Sequence, residues 1–174
     1  TEGELTTFLP WFEATIAAGM QAGATVGTSL THKFANVVAV KQSNTWNPTD
    51  DSEELIQAGL CFLENLDGVG IRFVRNVTTY LQSNNIAFTE GSVNQAANYA
   101  VFNFRTALET IVGRKGFAGT ISAAKGIAVG QLNKLMSAGA IVDYKSLSLS
   151  LVVDVLEVSV EIAPVIPVNF VEST

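Results

Sequence analysis

The sequence predicts an α+β fold, and the order of its periodicities is what predicts it. Two long stretches place apolar residues at three- and four-residue steps, and two later stretches alternate apolar and polar residues. Two helices followed by two strands make this later part a small α+β unit. A third observation concerns number: two strands are too few for an independently stable sheet. The predicted sheet therefore needs further strands.

Each element follows from local signals. A first helix is expected from about Pro10, which suits a first helical position, to about Ala22, with Phe12, Ile16 and Met20 on its apolar face and Gly23 ending it. "GATVGTSLTHK" reads as loop and "FANVVAV" as a short strand. "NTWNPTDDSEEL" leads into a second helix, with Asp51 and Glu54 spaced like a capping box. That helix is expected to reach about Leu66 and stop at Asp67-Gly68. "GIRFVRNVTTYL" reads as a strand, with Ile71, Phe73 and Arg75 on one face. "QSNNIAFTEGS" is a polar connection, and a domain boundary is expected near it.

The clearest helix begins at Ser92. Its stripe runs Val93, Ala97, Ala100, Phe104, Leu108 and Ile111, and Gly113 supplies the stop. "GRKGFAG" connects it to another helix, expected to be capped by Thr120 and ended by Gly139, with Ile121, Ala124, Ala128, Leu132 and Leu135 as its stripe. "AIVDYKSLSLSLVV" and "LEVSVEIAPV" close the chain as strands, and the turn between them lies somewhere in residues 146–157.

Composition narrows the functional classes. The chain has 174 residues, enough for one domain or two small ones, and only 15% are charged. That share is well below the roughly 25% usual for soluble domains, so much of the surface is expected to be weakly polar or covered. No apolar run reaches the ~18–20 residues of a membrane span, and no membrane insertion is expected. Neither a signal-peptide pattern nor an initiator Met opens the chain, which reads as part of a longer protein. The net charge of −6 argues against nucleic acid. It hides a basic segment, residues 105–145, with six basic and two acidic side chains. Such a segment suits an acidic protein partner.

Candidate chemistry is sparse. His32 is the only histidine and stands in a Ser/Thr-rich loop; no G-x-S-x-G elbow marks a nucleophile. One His and one Cys, Cys61, leave a transition-metal site without ligands, and Cys61 reads as a structural thiol. "GRKGFAG" joins two helices and lacks the G-K-[ST] ending of a phosphate loop. "DDSEE" lacks the calcium-loop pattern and reads as a solvated helix start. Asn76 opens a glycosylation sequon, read as chance. No cofactor is expected.

The ending raises a different question. Val158, Val160 and Ile162 alternate with Glu157, Ser159 and Glu161, and then Pro164 and Pro167 interrupt a segment that stays apolar through Val165, Ile166, Val168, Phe170 and Val171. Prolines bar such a segment from the middle of a sheet but suit an edge.

In order, "GTSLTHK", "EELIQAGL", "GIRFVRNVTTY", "YAVFNFRTALE", "GRKG" and "AGAIVDY" before two closing strands resemble the C-terminal part of contractile tail sheath proteins of bacteriophages. Related subunits occur in R-type bacteriocins and other contractile injection systems. The resemblance implies that residues 1–88 are the end of an outer, subtilisin-like sheath domain, an α/β unit alike to the protease in fold only. It implies that residues 89–174 are a small inner domain of two helices and a sheet, facing the tail tube and completed by strands from neighbouring subunits. The C-terminal arm would start at about residue 164, with Val165, Ile166, Val168, Phe170 and Val171 pairing with a neighbour. Arg114, Lys115, Lys125 and Lys134 are the tube-facing candidates. The implied partners are other copies of the chain, the tail tube protein, and the baseplate and tail terminator proteins. The implied location is the virion tail, assembled in the host cytoplasm. The implied function is mechanical: a helical polymer around the tube that contracts to drive it through the host envelope, without nucleotide. Two readings from other classes stand beside it, a hydrolase of subtilisin-like ancestry and a small-ligand-binding α+β module.

Overall fold

The computed structural model describes residues 8–9, 11–40, 51–115 and 118–169. Helix α1 spans Trp11–Gly23. Its expected face is the one turned inward: Ile16 and Met20, with Ala17, lean on an apolar cluster of Leu30, Ala35, Leu63, Ile71 and Phe73. Pro10 lies outside the described residues.

The next stretch departs most from expectation. "FANVVAV" is not a strand along its length. Only Phe34 is bridged, to Arg72, and Ala35 N–H donates to the Ile71 carbonyl at 2.8 Å.

Helix α2, Asp51–Gln57, stops at Gln57 and not near Leu66. Gly59 follows at φ +75°, where an added Cβ would stand 2.8 Å from the Thr78 carbonyl oxygen. The rest of the expected helix holds β1, Leu63–Leu66, paired antiparallel with β2, Gly70–Phe73. Asp67-Gly68-Val69 is thus a three-residue hairpin turn, with Gly68 at φ +73°. Ile71 and Phe73 point inward as expected, whereas Arg72 points outward and meets Glu64 at 2.6 Å. The strand ends at Phe73, short of Arg75. The Asp51 side chain, half of the expected capping box, lies outside the described residues.

The polar connection contains a short helix, α3, Ile86–Thr89, whose Asn85 Oδ1 accepts from Ala87 N–H at 3.1 Å. Helix α4 spans Gly91–Glu109 and buries Ser92, Val93, Ala96 and Ala100. Ala96, rather than Ala97, carries the stripe. Gly113, at φ +83°, ends the turn that follows the helix.

Helix α5 spans Ala118–Ser137. Ala124, Ala128, Leu132 and Leu135 of the predicted stripe are buried along it, whereas Ile121 is half-buried. Thr120 is not its cap: the helix begins two residues earlier, and the Thr120 hydroxyl donates to the Lys115 carbonyl at 2.6 Å. Gly139, at φ +69°, closes the helix, with Ala140 N–H donating to the Leu135 carbonyl at 3.0 Å.

Strands β3, Ile141–Val152, and β4, Val155–Pro164, form a long antiparallel hairpin. Its turn is Val153-Asp154, with Val153 at φ +59°. Register shifts interrupt the ladder between Lys145 and Ser148, where Ser146 takes φ +56°. The alternation holds: Val158, Val160 and Ile162 are half-buried while Glu157, Ser159 and Glu161 are exposed. Ala100, Leu132, Leu135, Ala140 and Ile141 form a second apolar cluster, covered by Phe104, Tyr144, Leu147, Val160 and Ile162. Ala100 and Phe104 of the first predicted stripe and Leu132 and Leu135 of the second therefore pack on the closing strands. The two clusters fall on either side of residue 88, except that Val26 joins the second. Each of the two sheets has two strands, and among the described residues neither outer edge of β3–β4 is paired.

Candidate assembly surfaces

The hairpin runs past the helices that cover it. Near its base the inner face is filled by the second cluster. Toward its tip, that face and the C-terminal end of α4 enclose an open groove of about 890 Å³. Phe104, Leu108, Ile111, Ile121, Leu151 and Leu156 line it. Val112 and Val153, 81% and 93% exposed, stand at its rim. Arg105, Glu109, Arg114, Thr120 and Asp154 line it as well, so the groove offers apolar contact and charge together.

The tail leaves β4 at Pro164 and is not a strand of its own sheet. Val165 donates its N–H to the Ala140 carbonyl at 3.3 Å. Val165, Pro167 and Asn169 are half-buried, whereas Ile166 and Val168 are exposed together on the other side. Phe170 and Val171 lie outside the described residues.

Arg114, Lys115, Lys125 and Lys134 are all exposed. They do not form one patch. Lys125 and Lys134 stand on α5 nine positions apart, which is half a turn around a helix of 3.6 residues per turn. Arg114 and Lys115 lie in the connection before α5, with Arg114 at the groove margin. Lys145 is engaged by Glu161 at 3.2 Å on the outer hairpin face.

Sequence reasoning missed one polar centre. Glu90 is 2% exposed and accepts from Ser29 Oγ and Ser92 Oγ at 3.0 and 3.1 Å, and from Asn169 Nδ2 at 3.1 Å. Ser92 is two positions away, but Ser29 and Asn169 lie 61 and 79 positions away in the chain, so no spacing rule points to the centre. Nearby, Asn76 Nδ2 donates to Gln21 Oε1 at 3.0 Å, and Gln21 Nε2 donates to Gln95 Oε1. These contacts join the first helix to α4.

The remaining candidates do not converge. His32 is exposed, takes φ +57°, and donates its N–H to the Phe73 carbonyl at 2.8 Å. Cys61 is half-buried, and burial, with Glu13 and Glu90 nearby, pushes its thiol up to about 11. Burial also raises the Glu13 carboxyl, although Leu63 N–H donates to it at 3.1 Å. Among the described residues no three His, Cys, Asp or Glu side chains come together as metal ligands. Among those residues, too, no helix is long and apolar enough to cross a membrane.

No family model matches the chain. It is 30% identical over 163 residues to the tail sheath protein of Bacillus phage SP01, covering 92% of this chain and 28% of that protein. It is 26% identical over 171 residues to a putative tail sheath protein of Enterococcus phage phiEF24C, covering 97% of this chain and 30% of that protein. The chain thus spans less than a third of the length of either curated relative. Among solved structures, the helical sheath of the anti-feeding prophage in its contracted state matches with a TM-score of 0.71 at 16% identity, over 93% of this chain and 48% of that one. In sequence and in fold alike, the chain belongs with the contractile tail sheath proteins.

Proposed function

We propose that the chain is part of a structural subunit that polymerises helically around a tail tube and contracts to drive the tube through a host envelope. The observation that carries this reading is the likeness over 93% of the chain to a helical sheath in its contracted state. Electron microscopy of the complete protein tests it: tubes that shorten and widen are expected, and a monomer or closed ring sinks it. The role is structural, and no reaction is assigned to it. Two phage relatives support a virion tail as the location, and assembly in the host cytoplasm is part of the same proposal. The anti-feeding prophage likeness keeps open a second setting, a bacteriocin or other injection device.

Within this reading, residues 1–88 are the end of the outer domain and residues 89–174 the tube-facing inner domain. The separation of the two apolar clusters supports that division. The arm from about residue 164 adds a strand to a neighbour's inner sheet by β-augmentation. The unpaired edges of β3–β4 and the outward face of Ile166 and Val168 support this assignment. Deleting residues 164–174 should leave a folded subunit that no longer forms sheaths, and Phe170→Asp should act in the same direction.

The tube, baseplate and terminator proteins complete the proposed partners. Since the Debye length is ~8 Å at physiological ionic strength, only close charges contribute at the tube. Reversing Arg114 and Lys115 should weaken assembly on tubes in a salt-sensitive way. Unchanged assembly at low salt removes this pair from the tube interface.

A further inference from the structure

The tail is held on its own chain by contacts that leave part of it unsatisfied. Val165 Cγ1 fills the space over Gly27, where an added Cβ would come within 2.3 Å of it. Four residues on, Asn169 Nδ2 donates to Glu90 Oε2 at 3.1 Å. The other oxygen, Glu90 Oε1, is occupied by the Ser29 and Ser92 hydroxyls. One buried carboxylate therefore joins the loop after α1, the start of α4 and the tail.

This seat is incomplete in two independent ways. Asn169 Oδ1 is buried without a hydrogen-bond partner among the described residues, a loss that a fitted seat avoids. Ile166 and Val168 are 54% and 84% exposed, so the apolar face of the tail stays in water. Release, by contrast, is cheap on the other side. When Asn169 departs, Glu90 keeps two hydroxyl donors and is not left as a bare buried charge.

We infer that the tail has two seats, an intrachain one clasped by Glu90 and one on a second copy of the chain, and that Glu90 sets the balance between them. The inference rests on the reading of residues 165–171 as an inter-subunit arm. A clasped tail is not available to a neighbour, so the apparent affinity between subunits falls by the fraction of tails that are free. On the second seat Ile166 and Val168 gain the cover they lack on the first.

The test uses the complete protein with Asn169→Ala and Asn169→Asp, the latter setting a second carboxylate against Glu90. Hydrogen exchange at Val165 reports the clasp, and the critical concentration for polymerisation reports its consequence. Exchange is expected to quicken about tenfold in Asn169→Ala, as loss of a hydrogen bond to a charged group implies, and further in Asn169→Asp. Polymers should form at several-fold lower concentration. Unchanged exchange in both variants overturns the clasp. Faster exchange with an unchanged or higher critical concentration overturns the competition between seats. Truncation at residue 164 separates this from the arm reading: a truncated subunit that polymerises normally defeats that reading itself.

Discussion

Leu151 and Leu156 pair directly across the β3–β4 hairpin, on the face that lines the groove. Both are only half-buried, so the chain alone uses part of the apolar surface they offer. Leu156→Ser should cost the isolated subunit no more than about 1 kcal/mol. If a neighbouring subunit fills the groove, each lost leucine contact is worth roughly 1.5–3 kcal/mol there, and the critical concentration for polymerisation should rise by tenfold or more. A variant that polymerises like the parent takes the groove out of the interface.

Leu132 is 1% exposed between α4 and the hairpin. Leu132→Ala should cost about 2–5 kcal/mol through the cavity it leaves. Phe104 lies one step outside the same cluster and is half-buried. Phe104→Ala should therefore cost less than the 3–5 kcal/mol typical of a fully buried phenylalanine, and roughly 1–2 kcal/mol is expected. Thermal melts that rank the two the other way would contradict this packing.

Val153 occupies the left-handed region at φ +59° while 93% exposed. A β-branched residue is strained there and has little packing to recover the loss. Val153→Gly should raise the melting temperature, with a gain of about 0.5–1 kcal/mol after the entropy of glycine is counted. A destabilised variant would show that the valine makes contacts the turn depends on.

The Glu13 carboxyl is raised above its ordinary value of 4.5, first by burial. A raised carboxyl penalises the charged form in the folded state, so the cost is absent below the unfolded value and complete once pH passes the folded one. Glu13→Gln keeps an acceptor for Leu63 N–H. It should stabilise the protein at neutral pH, and the gain should vanish on acidification below 4.5. A gain that persists there would assign it to packing instead.

What the sequence made legible was what periodicity sustains over many residues. The α5 stripe from Ala124 to Leu135 and the β4 alternation repeat often enough to exclude other periods. "LCFLENL" is short and apolar enough to fit a helix or a strand, and the Asp67-Gly68 signal, read as a helix stop, was a hairpin turn. The Val153-Asp154 turn lacks a glycine or asparagine to announce it. Of the candidate assembly surfaces, the shared face of Ile166 and Val168 was visible in alternation alone. The Glu90 centre was not, because its donors come together only when distant segments fold onto α4.

The irregularity at Ser146 has a consequence for colloidal behaviour. Long unpaired strand edges template amyloid-like growth, and a protein that keeps them open for its own copies is exposed to every other chain. The register shift between Lys145 and Ser148 places an extra residue of β3 in the β3–β4 ladder, and a bulge of this kind twists its strand and discourages long continuous pairing along it. The Lys145–Glu161 ion pair places charge on the outer face beside that break, where it acts as a gatekeeper against face-to-face stacking. Replacing the bulge with a regular ladder would remove the interruption and leave an edge open to fibril growth.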